Sequence, residues 1–302
     1  MIVRLPIILL TGKDGQVGFE LQRSLASLGY VVAVGRRDCD LSDSVLLAAL
    51  LERVQPDIIV NPAAYTAVDM AETERARAQA VNSAAPQAMA RWAVASGALL
   101  IHYSTDYVFD GSKDGWYGEE DAPNPRSVYG QTKLAGEEAI RESGCHHLIL
   151  RTSWVFGTHG GNFLKTMLKL MSERDALRVI ADQVGSPTSA ALLADVAAQL
   201  VGQYWRATDR TAFAFGTYHV VAAGETSWHG YAQEISRQAS ELGWGFKLTV
   251  DAIAAISARD YPQSAPRPAN SRLDTRKLQN TFNLTLPDWR QGVGLVLTLL
   301  KE

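Results

Sequence analysis

Ile7-Ile8-Leu9-Leu10-Thr11-Gly12-Lys13-Asp14-Gly15-Gln16-Val17-Gly18 decides how the rest of the chain is read. Four apolar residues predict a short strand buried on both faces. Three glycines follow at three-residue spacing, and Val17, Leu21, Leu25 and Leu28 then recur at helical spacing. A strand that turns through glycine into a helix is the phosphate-binding turn of an open α/β sheet. Gly12 permits the sharp turn, Gly15 lets a diphosphate approach the backbone, and Gly18 lets the helix pack close to the strand. The helix start supplies unpaired N–H groups and a partial positive charge. Glycines at this spacing also occur in purely structural turns; their place between strand and amphipathic helix points to a dinucleotide.

The alternation continues outward. Val31–Val34, Ile58–Val60, Leu99–Tyr103 and His147–Arg151 are short apolar runs separated by helical patterns. Ser42 is the expected N-cap of the helix carrying Leu46, Leu47, Leu50 and Leu51. An alanine-rich helix is expected from about Glu72 to Ser96, kinked or split at Pro86. This pattern predicts an α/β fold with a doubly wound parallel (Rossmann) sheet and ligands at the carboxyl ends of its strands. After residue 157 the rhythm loosens. Leu177–Ile180 and Tyr218–Val221 read as strands, Ala190–Tyr204 as a helix, Tyr261–Pro268 as a loop, and Pro287 as the first turn of a last helix. The expected division is 1–157 with 189–224 for the dinucleotide, and 158–188 with 225–302 for a smaller C-terminal substrate-binding lobe.

Composition narrows the function. The 29 basic and 32 acidic residues give a net charge of −3, which excludes nucleic-acid binding through bulk charge. Hydrophobic residues at 47% exclude a disordered chain. No apolar run approaches the roughly 18 residues of a membrane span, and Met1-Ile-Val-Arg-Leu-Pro6 does not read as a signal peptide. Cys39 and Cys145 lack CxxC spacing, so neither a zinc site nor a disulfide framework is expected, and a cytoplasmic setting is.

The end of the second strand selects the nicotinamide cofactor. Gly35-Arg36-Arg37 stands where an NAD-preferring site carries an acid, and guanidiniums suit a 2′-phosphate. NADPH is therefore preferred to NADH, with Asp40 and Leu41 placed to contact the adenine. Further on, Tyr129-Gly-Gln-Thr-Lys133 sets a phenol and an ammonium on one helix face. Ser104-Thr105-Asp106 ends a buried strand, where a sheet presents polar groups to ligand. Ketone reduction needs this trio. Tyrosine, with a free pKa of ~10, must give up a proton as the oxyanion forms. An ammonium about 4 Å away contributes up to ~4 kcal/mol to its phenolate. Thr105 can polarise the carbonyl.

These residues together resemble the extended short-chain dehydrogenase/reductases. Val60–Asp69, His102–Phe109, Val128–Glu137, Leu150–Phe156, Ile180–Thr188 and Arg267–Leu273 resemble one family in that superfamily, dTDP-4-dehydrorhamnose reductase. The resemblance implies reduction of a nucleotide-sugar C4 ketone for surface polysaccharide, by a homodimer. It implies Tyr129 as proton donor, Lys133 on the nicotinamide ribose, Thr105 and Asp106 facing the sugar carbonyl, and Trp154 against the sugar. Ala63, Ala64, Tyr65 and Thr66 match its cofactor-binding stretch. Some members hold a divalent metal such as Mg2+ through glutamates at a dimer interface; Glu20 matches one, but Ala191 stands where another is expected. A reductase of a related 4-keto sugar and a non-catalytic regulatory subunit of the methionine adenosyltransferase type share the fold and the motifs. Lys165, Lys169 and Arg174, on one helix, either meet the substrate diphosphate or form a solvated face. Arg267 and Arg272 are further candidates for an anion.

Overall fold

The apolar runs become β1 (Ile7–Leu10), β2 (Tyr30–Ala33), β3 (Ile58–Asn61), β4 (Leu99–Thr105) and β5 (His147–Thr152). With Gly216–His219 they form a six-stranded sheet in the order Gly216–His219, β5, β4, β3, β1, β2. Every pairing in it is parallel. From β1 the chain moves to β2 on one side and then to β3 on the other, so a crevice opens beyond the carboxyl ends of β1 and β3. The computed structural model describes residues 4–302; Met1–Val3, where the stretch read against a signal peptide begins, lie outside the described residues.

Side chains alternate across this sheet. Ile8, Leu10, Ile58, Val60, Leu99 and Ile101 pack on one face against α1 (Gln16–Leu25) and the helix Ala190–Arg206. Leu9, Ile59, Leu100 and Ile149 pack on the other against α2 (Ser44–Val54) and the helix Ala85–Ser96. Burial on both faces is why the strands show no polar alternation. Each such side chain contributes roughly 1.5–3 kcal/mol, more than strand propensity supplies. At the carboxyl ends the second face turns polar: Thr11, Asn61 and His102 keep the parity of Leu9, Ile59 and Leu100. The register pairs Asn61 with His102 directly.

Several local expectations are corrected. Asp43, not Ser42, caps α2, its carboxylate accepting from Val45 and Leu46 N–H at 2.9 and 3.1 Å. Ser42 is occupied, donating its own N–H and hydroxyl to Asp40. The α-helix is interrupted just before Pro86: Arg75–Gln79 and Ala85–Ser96 are joined through a widened turn at Ala80–Ala84. The helix starts at Arg75 rather than at Glu72. Proline has no N–H for the Asn82 carbonyl four residues back, so the turn loosens there. That carbonyl abuts Gly136, where a Cβ would lie 2.2 Å from it. Pro287 precedes the last helix, Trp289–Lys301, which Asp288 caps.

Leu177–Ile180 is a strand, but it pairs with Ile253–Ile256 and lies outside the large sheet. Two further short pairs, Val184–Gly185 with Thr226–Ser227 and Val155–Phe156 with Thr188–Ser189, complete this region. Its core gathers Met171, Tyr231 and Trp289 from the helices Phe163–Glu173, Trp228–Glu241 and Trp289–Lys301. Leu278, Phe282 and Leu286 instead pack into the core of the large sheet. Among the described residues, no helix is long and apolar enough to cross a membrane.

Candidate active site

A cleft of about 520 Å³ lies over the carboxyl ends of the strands, lined at one end by Gly12, Gly15 and Gly18 and at the other by Tyr129 and Lys133. Gly12 adopts φ +61°, a left-handed turn, and a Cβ there would lie 2.9 Å from Ala63 Cα. At Gly18 a Cβ would lie 2.0 Å from the Gly12 carbonyl oxygen, so only glycine lets α1 start so close to β1. Gly15 is the N-cap and makes no side-chain capping bond, leaving the first N–H groups of α1 to the cleft.

The other dinucleotide candidates divide. Gln16, Val17, Arg36, Asp40, Leu41, Ala63, Ala64 and Thr66 line the cleft, whereas Arg37 and Tyr65 do not. Arg37 is exposed. Tyr65 is buried, its backbone N–H and carbonyl both bonded to the Asn82 side chain at 2.8 and 3.1 Å. Asp40 is held below the usual carboxylate range by the bonds from Ser42.

Tyr129 and Lys133 stand on the first turns of the helix Val128–Ser143. Ser127 caps it, accepting from Gly130 N–H at 3.1 Å. Gly130 abuts the Tyr107 carbonyl, where a Cβ would lie 2.2 Å away, and this close approach sets Tyr129 beside the end of β4. Its ring meets Tyr107 edge-on at 5.4 Å. Burial pushes the Tyr129 phenol up to about 12, with the neighbouring Thr105 hydroxyl opposing. The lowering expected from Lys133 is absent: that ammonium lines the cleft but makes its bonds to other partners. Its Nζ donates to the Tyr103 carbonyl at 2.6 Å and lies 3.1 Å from His102 Nε2. Burial lowers the Lys133 ammonium to about 8, with Glu137 opposing. Burial also acts on Glu137, but Arg151 and Arg141 outweigh it and hold the carboxyl low.

Thr105 donates to Asp106 Oδ1 at 3.0 Å. The other Asp106 oxygen is buried without a partner, and burial pushes this carboxyl up to about 6, with the nearby Ser271 and Thr105 hydroxyls opposing. Trp154 takes φ +48°, unusual for a bulky residue, and stacks on Trp228 at 3.6 Å between ring centres. Arg267 pairs with Asp69 at 2.6 Å and Arg272 with Glu225 at 3.3 Å. Lys165 bonds the Thr158 carbonyl, while Lys169 and Arg174 are exposed.

The donors for Mg2+ do not fit within this chain. Glu20 lies 3.6 Å from the Arg23 guanidinium and Ala191 offers no oxygen ligand. Among the described residues no three His, Cys, Asp or Glu side chains cluster as a metal site.

Sequence reasoning assigned no role to His102, Thr11 or Asn82, nor to Thr152 and Gly160–Gly161, which also line the cleft. A signal existed for the first two. Thr11 and His102 are polar residues ending apolar runs, and with Asn61 they keep one parity.

The family described as RmlD substrate binding domain matches residues 6–301. A dTDP-4-dehydrorhamnose reductase of Shigella flexneri is 47% identical over 297 residues, 97% of this chain and 97% of that protein. One from Burkholderia thailandensis is 46% identical over 288 residues, 95% of this chain and 97% of that protein. Among solved structures, the Bacillus anthracis dTDP-4-dehydrorhamnose reductase in complex with NADP superposes with a TM-score of 0.88 at 32% identity, covering 98% of this chain and 99% of that one.

Proposed function

The chain belongs to the dTDP-4-dehydrorhamnose reductase family, and on that premise we propose that it reduces the C4 ketone of dTDP-4-dehydro-β-L-rhamnose to dTDP-L-rhamnose with NADPH. The observation that carries this reading is a single cleft holding the glycine turn at one end and Tyr129 with Lys133 at the other. Bound there, NADPH would supply the hydride for C4. The N–H groups opening α1 would hold its diphosphate, Arg36 its 2′-phosphate and Lys133 its nicotinamide ribose.

Tyr129 is protonated at neutral pH and gives its proton to the C4 oxygen as negative charge develops. The Lys133 ammonium lines the same cleft and places a positive charge on the side where the phenolate is left behind. Thr105 and Asp106 orient the carbonyl, and Trp154 covers the sugar. We assign 1–157 with 189–224 to the dinucleotide and 158–188 with 225–302 to the sugar nucleotide. Gly160–Gly161 also reach the dinucleotide cleft, and Leu278, Phe282 and Leu286 pack back on the large sheet. The enzyme would act as a cytoplasmic homodimer supplying surface-polysaccharide synthesis.

The test is to mix the protein with dTDP-4-dehydrorhamnose and follow NADPH oxidation, identifying the product by NMR. Formation of dTDP-L-rhamnose supports the proposal. Absence of turnover, or the other C4 epimer as product, overturns it. Sedimentation as a monomer removes the dimer.

A further inference from the structure

Thr11, Asn61, His102 and Lys133 form a buried row that crosses from β1 through β3 and β4 to the helix covering that face. Thr11 Oγ1 lies 2.6 Å from Asn61 Oδ1, Asn61 Nδ2 3.0 Å from His102 Nδ1, and His102 Nε2 3.1 Å from Lys133 Nζ. All four residues are 1% exposed or less. From this geometry we infer that His102 is a positioning residue: its neutral ring, protonated on Nδ1, accepts a hydrogen bond from the Lys133 ammonium and aims that ammonium at the cleft.

An ammonium has three protons and accepts nothing. One goes to the Tyr103 carbonyl at 2.6 Å. A second needs an acceptor within the buried row, and His102 Nε2 is that acceptor only while the ring is neutral. Burial, reinforced by Lys133 itself, keeps His102 well below its ordinary value and therefore neutral. The third proton is left for the cleft, which Lys133 lines. With Nε2 accepting, the ring proton sits on Nδ1 and faces Asn61. The Asn61 amide then presents oxygen to the ring and nitrogen to Thr11 Oγ1, a half-turn of the amide that leaves the heavy atoms in place. The reverse polarity, with Asn61 donating to Nδ1 and the ring donating to Lys133, requires a neutral amine at Lys133. Row polarity and Lys133 charge are thus one variable. The other ionisable groups near Lys133 are Tyr129 and Glu137 on its own helix, Asp106 beyond β4, and Arg151 on β5, which is bonded to Glu137 at 2.9 and 2.6 Å.

The inference rests on the reductase reading for its kinetic arm only. Two conservative substitutions separate the contacts: the amide of His102→Gln reaches the place of Nε2, that of His102→Asn only the place of Nδ1. His102→Asn is expected to lose about tenfold in kcat with both KM values within about twofold. Its alkaline limb should move about one unit toward acid, because an ammonium deprived of an acceptor deprotonates more easily. His102→Gln should restore most of kcat and the limb. Equal behaviour of the two variants overturns the inference. In the unsubstituted protein, with and without NADP+, the ring 15N shifts of His102 should report the Nδ1–H tautomer at pH 7. An Nε2–H tautomer overturns the inference even if His102→Asn fails to fold. This measurement needs no turnover, so failure of the sugar assay would sink the reductase reading and leave the tautomer test standing.

Discussion

The two ends of the cleft are built in different ways. At the dinucleotide end most of the cradle comes from short local segments: Thr11 to Gly18 make the turn, Arg36 and Cys39 to Leu41 follow the neighbouring strand, and Ala63, Ala64 and Thr66 follow β3. Backbone geometry does the shaping there, through Gly12 and Gly18, where a Cβ has no room. Beyond the other end of the cleft, the residues proposed for the sugar, Thr105–Asp106 and Trp154, with Ser271 beside Asp106, come from distant segments and lie outside the lining of the cleft itself. They are held by stacked rings, ion pairs and short two-stranded pieces. A cradle of short segments is written locally, whereas an assembled one exists only after the whole chain has folded.

The largest expected effect falls at the junction of the two ends. Tyr129→Phe should lower kcat by roughly 10²–10⁴-fold, the range for losing a general acid, with cofactor affinity and melting temperature nearly unchanged. Fluorescence titration with NADPH beside steady-state assays checks this. An effect on NADPH binding as large as that on kcat would mean that Tyr129 belongs to the dinucleotide cradle.

Asp106 tests the sugar end through pH. Its folded pKa of about 6 exceeds the unfolded 3.8, so the folded state binds more protons between those values. Ionisation of Asp106 therefore disfavours folding increasingly from about pH 4 to pH 6, and fully above that. Asp106→Asn has no such dependence. Relative to the parent, the variant should gain about 1–3 kcal/mol between pH 4 and pH 7, whatever constant offset its amide introduces. Urea melts at both pH values measure this. A constant difference would show that the carboxyl has an ordinary environment.

Arg36 tests the opposite end. Arg36→Ala should weaken NADPH about tenfold, one charge-assisted phosphate bond, and leave NADH and sugar constants alone. Equal weakening of both cofactors would move Arg36 off the 2′-phosphate.

Legibility follows the same division. The parallel sheet could be read because residues buried on both faces leave uninterrupted apolar runs, as in Ile58–Val60 and Leu99–Ile101. The turn at Gly12 could be read because its constraint acts within a few residues. Tyr129 and Lys133 could be read because one helix face joins them. Asn82 could not: its grip on Tyr65 depends on a widened turn made by Pro86 and on the fit of Gly136. The row from Thr11 to His102 required knowing which strands pair and in what register. The cap at Asp43 rather than Ser42 was legible in principle, because Asp40 engages Ser42 two residues on in a local turn.

The smallest effect concerns Trp154, where chain geometry and ring contact oppose each other. Its φ of +48° lies in the left-handed region, which costs a non-glycine residue roughly 1–2 kcal/mol. The stack on Trp228 and the close fit to Gly185, whose Cβ would lie 2.8 Å from the Trp154 ring, hold it there. Trp154→Ala loses the ring and keeps the strained backbone; Trp154→Gly loses the ring and relieves it. Ordinarily glycine is the less stable of the two by about 0.5–1 kcal/mol. At this position the order should reverse, leaving Trp154→Gly more stable than Trp154→Ala by up to about 1 kcal/mol. Both should raise the sugar-nucleotide KM by a similar factor of about five, as both lose the same aromatic surface of about 1 kcal/mol. Paired thermal melts decide the stability order. Alanine proving the more stable would mean that the backbone at residue 154 relaxes once the ring is gone, and that the stack alone imposes the turn at the sugar end.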